Sequence, residues 1–317
     1  MVAKIFIDGE AGTTGLQIRE RLANRRDLEV LSIAPEKRKD QDERKRLLNL
    51  ADVAILCLPD EAAKESVRLI ENDTTRVIDA STAHRVAEGW AYGFAEMDVG
   101  QTEEIRNARY VANPGCWPQG LIAGLRPLVE ARIVPGDYPV SYHGISGYSG
   151  GGRQMMEEYE APGAVMSQFA PYALTFVHKH LPEMSQYAHL NRSPLFEPVV
   201  GNFAQGMHTS VPLHLDMVAD IPTGKRLHEV LSDHYASIPD SFVRVAPYDE
   251  KLGKTPALDP QVHNGTNTLT LHVFANDEIN QAVIAAVYDN LGKGASGAAV
   301  QNLNIMLGVD PKDSLAA

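Results

Sequence analysis

The sequence predicts an α/β fold, a doubly wound parallel sheet, followed by a second, α+β domain containing a mostly antiparallel sheet. Three observations carry this. Strand-like apolar runs alternate with helical patterns over about the first 110 residues. Gly9, Gly12 and Gly15 follow the first run at three-residue spacing and open a helix. After Cys116 the alternation stops and strand-like stretches dominate.

Taken in order, Lys4-Ile5-Phe6-Ile7 reads as a strand, and Leu16, Ile18 and Leu22 place a helix running to about Asn24. Residues 28–34 (LEVLSIA) form a second strand, and the charged stretch 36–46 a helix. The run 53–58 (VAILCL) is apolar throughout and stops at Pro59, as expected of a central parallel strand. A helix at 62–71 and strands at 76–79 and 110–112 complete the βαβ alternation. Leu121, Ile122, Leu125, Leu128 and Val129 then mark one amphipathic helix face. A glycine-rich segment, 144–152, precedes strands at 199–203, 207–217, 242–245 and 268–274, with helices at 227–236 and 280–291. The last segment, GKGASGAAVQNLNIMLGV, is a glycine turn entering a helix and is assigned back to the first domain. The expected domains are 1–115 plus 290–317, and 116–289.

Composition narrows the function classes. The 317 residues suit about two domains. With 29 Lys plus Arg against 41 Asp plus Glu, the net charge of −12 argues against nucleic-acid and anionic-membrane partners. Hydrophobic residues at 44% and charged ones at 22% are globular proportions. No apolar run approaches the ~18–20 residues a bilayer span needs, and the N-terminus enters a strand without a signal-peptide pattern. Cys57 and Cys116 are the only cysteines and fit neither a disulfide framework nor a metal-ligand spacing. A soluble, cytoplasmic protein is expected.

The glycine turn suits a dinucleotide. Small residues let the backbone approach a pyrophosphate, and the helix N-terminus supplies N–H groups and a positive dipole. The alternative is a glycine turn that only packs helix on strand. NAD-binding versions of such Rossmann-like domains carry an acidic residue at the end of the second strand. Here Ser32-Ile33-Ala34-Pro35 is followed by Lys37, Arg38 and Lys39, which suits the 2′-phosphate of NADP(H).

Cys116 stands in Asn113-Pro114-Gly115-Cys116-Trp117-Pro118-Gln119-Gly120, after a strand and at the start of a helix. The helix dipole there favours thiolate, which makes Cys116 the expected nucleophile. Cys57, inside an apolar strand, reads as a core thiol. The proton partner is sought in His178-Lys179-His180-Leu181-Pro182-Glu183, where Glu183 could orient an imidazole. His143, His208, His214 and His263 are alternatives. The near-alternating spacing suits no zinc-helix motif, so no metal is expected. Ser146-Gly147-Tyr148-Ser149-Gly150-Gly151-Gly152-Arg153 offers backbone N–H groups, hydroxyls and a cation, and reads as an anion-binding loop rather than a bare linker.

Together these motifs, with DASTAHR at 79–85 and GKGASGAAVQNLN at 292–304, resemble the N-acetyl-γ-glutamyl-phosphate reductase family in its shorter form (type 2) over nearly the whole chain. The resemblance implies a semialdehyde dehydrogenase-like fold and NADPH-dependent reduction of an acyl phosphate through a thioester on Cys116. It selects His180 over His178 as acid–base, with Glu183 beside it. It implies cofactor contacts from Gly9, Gly12, Thr13, Thr14, Gly15, Ser32, Arg38, Pro59, Ser81 and Asn302. Substrate and phosphate contacts would come from Asn113, Ser146, Gly147, Ser149, Gly150, Arg153, His178 and Arg85. Asp79 matches a family loop near the active site. A homo-oligomer, dimer or tetramer, is also implied. Competing readings are aspartate-semialdehyde dehydrogenase, a carrier-protein-linked acyl-phosphate reductase, a cysteine hydrolase and an NADP sensor without chemistry. The last leaves the thiol and the histidines unexplained.

Overall fold

The first apolar run forms β1 (Ala3–Asp8), and its alternation divides the core around it in two. Ile5 and Ile7 pack on one side with Val53, Ile55, Ile78 and Val111, while Phe6 packs on the other with Ala54, Leu56 and Val77. A sheet buried on both faces is what an all-parallel arrangement requires. The computed structural model describes residues 2–218, 220–249 and 258–317. Two compact units are present. Unit 1 runs to Ala95 and adds Gly100–Gly115 and Ala295–Ala316; unit 2 holds Glu96–Val99 and Cys116–Gly294.

In unit 1, β1 is followed by α1 (Thr13–Leu22), β2 (Leu28–Leu31), α2 (Gln41–Leu50), β3 (Val53–Leu56), α3 (Asp60–Leu69) and β4 (Arg76–Asp79). Then come β5 (Ala91–Tyr92), α4 (Gln101–Asn107) and β6 (Tyr110–Ala112). The strands lie in the order β2-β1-β3-β4-β6-β5, every neighbouring pair parallel. The order reverses at β1, which places the glycine turn after β1 at the switch point where such sheets bind ligands. The helix expected over 36–46 divides into a 3-10 turn at Pro35–Lys37 and α2. Asp40 makes the break, its side chain capping α2 by accepting the Glu43 N–H at 3.0 Å.

Unit 2 begins with α5 (Cys116–Glu130) and continues through β7 (Ser141–Gly147), α6 (Gly152–Glu160), β8 (Phe169–Pro171), α7 (Leu181–Tyr187), β9 (Leu195–Gly201) and β10 (Met207–His214). It closes with α8 (Gly224–Ala236), β11 (Val243–Val245), β12 (Leu269–Asn276) and β13 (Gln281–Tyr288). The sheet order is β11-β12-β13-β10-β7-β9-β8, with two parallel pairs, β11–β12 and β7–β9, and the other four antiparallel. The helix expected at 280–291 is therefore a correction: that stretch is β13, a central strand. Its run of Val, Ile and Ala is apolar throughout, so it has no periodicity to separate strand from helix, and its two-sided burial explains why. A π-helical turn at Gly292–Ser296 leads into α9 (Gly297–Leu307), which returns the chain to unit 1. There Ala299, Val300, Leu303 and Met306 join the Ile5–Ile7 side of the core. No helix among the described residues is long and apolar enough to cross a membrane.

Candidate functional site

In unit 1 the three glycines differ in what demands them. Gly9 has φ +93°, and a Cβ there would stand 2.3 Å from the Cys57 carbonyl oxygen. At Gly15 the Cβ would meet the Gly9 carbonyl oxygen at 2.5 Å. Those two are fixed by packing between turn, helix and β3. Gly12 has room, its nearest neighbour 3.5 Å away, so packing alone does not call for it. It precedes Thr13 and Thr14 at the start of α1, a helix without a side-chain cap or an acidic residue in its first turn. That is the arrangement a pyrophosphate uses.

Beside the turn lies a cavity of ≈530 Å³ lined by Asp8, Gly9, Glu10, Arg38, Lys39 and Arg44 among others. Its charges are held in two networks. Asp8 Oδ2 accepts from Arg44 Nη2 at 3.1 Å and from the Ser66 hydroxyl at 2.8 Å. Glu10 pairs with Arg19 at 2.7 Å and with Arg38 at 3.4 Å. Arg38 is thus in the cavity and Lys39 beside it, while Ser32 and Pro59 are exposed. The sequence reading missed Asp8, Glu10 and Arg44, because acidic residues beside a glycine turn, and an arginine in a charged helical stretch, look like ordinary surface charge.

Other expected cofactor and substrate residues of unit 1 form a buried lattice. Ser81 donates its hydroxyl to Asp79 at 2.7 Å and accepts the Ala83 N–H at 3.1 Å. His84 Nδ1 stands 2.6 Å from the same carboxylate, its ring stacked on Trp90. Arg85 donates to the backbone carbonyl of Asn113 at 3.0 Å, which ties it to the segment leading into Cys116. Asn113 donates to the Ala295 carbonyl and accepts from Asn302 Nδ2 at 3.1 Å. Asn302, fully buried, also donates to Gly93 O, while its Oδ1 has no partner among the described residues. A buried acceptor of this kind fits a ligand amide, so the residues present suit a nicotinamide dinucleotide.

In unit 2, Cys116 is the first residue of α5. The Tyr288 hydroxyl donates to its carbonyl at 2.8 Å, and Tyr142 donates to the carbonyl of Trp117 at 2.6 Å. Gly120 makes room for this, since a Cβ there would stand 2.9 Å from the Tyr288 hydroxyl and 3.0 Å from that of Tyr142. Trp117 Nε1 donates to the Tyr172 hydroxyl at 3.0 Å, and the Tyr172 ring lies 6.0 Å from that of His178. The His178 and His180 rings meet edge to face at 4.7 Å. His180 and Glu183 are 6% and 1% exposed at the start of α7. The helix carrying the thiol and the two histidines are thereby joined through aromatic rings. Burial pushes the Tyr172 hydroxyl well above its usual range, and the neighbouring Cys116 adds to that push. No motif in the sequence singled out Tyr172, which lies just past a short edge strand.

The alternative histidines separate on geometry. Tyr142 faces α5, so His143, its neighbour on β7, points to the opposite side of the sheet. His143 pairs with Ser210 in register, which puts His208 on that same far side. His263 bonds Thr270 at 2.8 Å, and His214 is exposed at the end of β10. Three N–H groups of the expected anion loop are already engaged: those of Gly147, Tyr148 and Ser149 donate to the carbonyls of Gly206, Phe203 and Ala204. They are closing a backbone turn, not forming an open nest. Ser146 and Ser149 are buried, and the Ser149 hydroxyl accepts from Asn290 at 2.9 Å. Arg153 is exposed and pairs with Glu157 one turn along α6 at 2.7 Å.

Residues 4–108 match the family described as semialdehyde dehydrogenase, NAD binding domain, and residues 116–290 match the semialdehyde dehydrogenase dimerisation domain. The sequence is 62% identical over 307 residues to the N-acetyl-gamma-glutamyl-phosphate reductase of Chelativorans sp., covering 97% of this chain and 99% of that one. This chain belongs to the N-acetyl-gamma-glutamyl-phosphate reductase family. A second reductase of that name, from Mesorhizobium japonicum, is 61% identical over 98% of this chain and 100% of its own. Among solved structures, aspartate semialdehyde dehydrogenase II of Vibrio cholerae superposes with TM-score 0.71 at 14% identity, covering 97% of this chain and 99% of that one. The Candida albicans aspartate semialdehyde dehydrogenase gives 0.66 at 13%, covering 96% and 99%. Identities this low establish the shared fold alone. The reductase family thus sits on a semialdehyde dehydrogenase fold, with a nicotinamide dinucleotide domain and a dimerisation domain.

Proposed function

We propose that this chain reduces N-acetyl-L-glutamyl 5-phosphate to N-acetyl-L-glutamate 5-semialdehyde and phosphate, with NADPH as reductant. The observation that carries it is Cys116 at the first position of α5, joined through Trp117 and Tyr172 to the His178–His180 pair. The dipole and unpaired N–H groups at a helix start favour thiolate over thiol. That thiolate attacks the acyl carbonyl, the C–O bond to phosphate breaks, and a thioester forms on Cys116 Sγ. Phosphate leaves with the electron pair of the broken bond.

NADPH, when bound, supplies the hydride that the thioester carbonyl carbon accepts. Gly12, Thr13 and Thr14 would hold its pyrophosphate, Arg38 and Lys39 its 2′-phosphate, and Asn302 Oδ1 its carboxamide. His180 protonates the oxygen of the resulting thiohemiacetal and takes that proton back as the C–S bond breaks. The aldehyde leaves and the thiolate returns. Glu183, buried three residues after His180, stabilises the imidazolium. Arg153 holds a substrate anion. Its present pair with Glu157 is an exposed one, worth only ~0–1 kcal/mol, so a phosphate or carboxylate displaces it readily. Arg85 positions the Asn113 carbonyl, and with it the chain entering Cys116. We infer a cytoplasmic enzyme, with the second domain, which matches a dimerisation domain, as the place where two copies associate.

Nicotinamide absorbance tests the substrate. In the phosphate-dependent oxidative direction, N-acetylglutamate semialdehyde is expected to reduce NADP, and aspartate semialdehyde is not. Turnover of aspartate semialdehyde instead would keep the thioester chemistry and overturn the substrate.

A further inference from the structure

Lys293 lies in the π-helical turn with its ammonium 2.6 Å from Glu96 Oε2, and both side chains are 1% exposed. A pair this dry is a poor source of stability, because desolving two ions costs about as much as their attraction returns. Its contribution is therefore geometric. Glu96 Oε1 accepts the Phe242 N–H at 3.1 Å, and the Lys293 ammonium stands 5.8 Å from the centre of the Phe242 ring. Burial pulls Lys293 below the usual lysine range, and Glu96 opposes that pull.

The backbone of the same turn reaches the thiol's helix. The Lys293 carbonyl accepts from Gln119 Nε2 at 2.6 Å, and Gln119 is buried one turn after Cys116. At Gly294 a Cβ would stand 3.0 Å from the Cys116 Cβ, so this peptide bounds the space beside Cys116 itself. π-Turns of this type recur at functional sites because they displace one peptide from helical register.

We propose that Glu96 is a positioning residue for Cys116: its carboxylate anchors Lys293 and so registers the 293–294 peptide against the first turn of α5. This rests on Cys116 being the nucleophile. Glu96→Gln keeps the side chain's shape and removes its charge, and Glu96→Met/Lys293→Met replaces the pair by apolar groups of similar volume. Each is compared with wild type and Cys116→Ser by kcat and KM in the oxidative direction, by the pH profile of iodoacetamide alkylation at Cys116, and by Tm. Glu96→Gln is expected to lower kcat about 10²-fold, the scale of a misplacement near 1 Å, with little change in KM and an altered alkylation profile. The Met pair is expected to match or exceed wild-type Tm while kcat stays low. Wild-type kcat and alkylation in folded Glu96→Gln overturn the proposal. So does a Met pair that regains kcat together with Tm, and this variant decides the matter if Glu96→Gln fails to fold. An active Cys116→Ser would instead overturn the nucleophile assignment.

Discussion

His178 Nδ1 accepts a hydrogen bond from the backbone N–H of His180, 3.1 Å away. A ring nitrogen that accepts carries no proton, so this hydrogen bond fits the His178 tautomer with its proton on Nε2. Protonating it would set two N–H groups against each other. We propose that His180, not His178, cycles between imidazole and imidazolium. His180→Asn is expected to lower kcat by 10²–10⁴-fold, in the usual range for a lost acid–base, and to remove one limb of the pH–rate profile. His178→Gln should keep both limbs and act mainly on KM.

The two cysteines should differ sharply in reactivity. Burial, with smaller contributions from Asp79 and Asp8, pushes the Cys57 thiol up to about 12. At pH 8 that leaves on the order of one thiolate in 10⁴. Iodoacetamide followed by peptide mapping is expected to label Cys116 and leave Cys57 unmodified until the protein unfolds.

Cofactor choice should depend on Arg38. A charge-assisted hydrogen bond to the 2′-phosphate is worth ~1.5–3 kcal/mol. Arg38→Ala is expected to reduce kcat/KM with NADPH by about 10–100-fold and to leave NADH nearly unchanged, measured as the ratio of the two. An equal fall with both cofactors would place Arg38 away from the 2′-position.

The far face of the second sheet predicts acid sensitivity. Burial, with help from His143 and His272, lowers His208 below its ordinary value of 6.5. A depressed value in the fold means that the unfolded chain binds protons first. Stability from this group is complete above the unfolded value and is lost as pH falls through the folded one. Tm should therefore drop as pH is lowered from 8 to 5, and His208→Gln should make the drop shallower. His263 and His272 are lowered by burial too, so the slope should persist in part.

The parallel sheet and the thiol's helix start were legible in the sequence because each writes a local signature. Strands such as 53–58 are apolar throughout, and Gly9 announces a turn that only glycine makes. β13 was not legible, since a strand buried on both sides reads like a buried helix. The expectation of open N–H groups over 146–153 does not hold at 147–149, for another reason. The partners of those groups, Gly206, Phe203 and Ala204, lie more than fifty residues further along the chain, where local reading does not reach. Tyr172, Glu96 and Lys293 escaped in the same way, each gaining its meaning from a contact distant in sequence.

The claim that Cys116 carries the acyl group is tested most directly by NADP reduction with N-acetylglutamate semialdehyde and phosphate, comparing wild type with Cys116→Ser. Phosphate-dependent turnover in the wild type, abolished in a folded Cys116→Ser, is the predicted result. Turnover that survives the substitution would contradict covalent catalysis at this thiol.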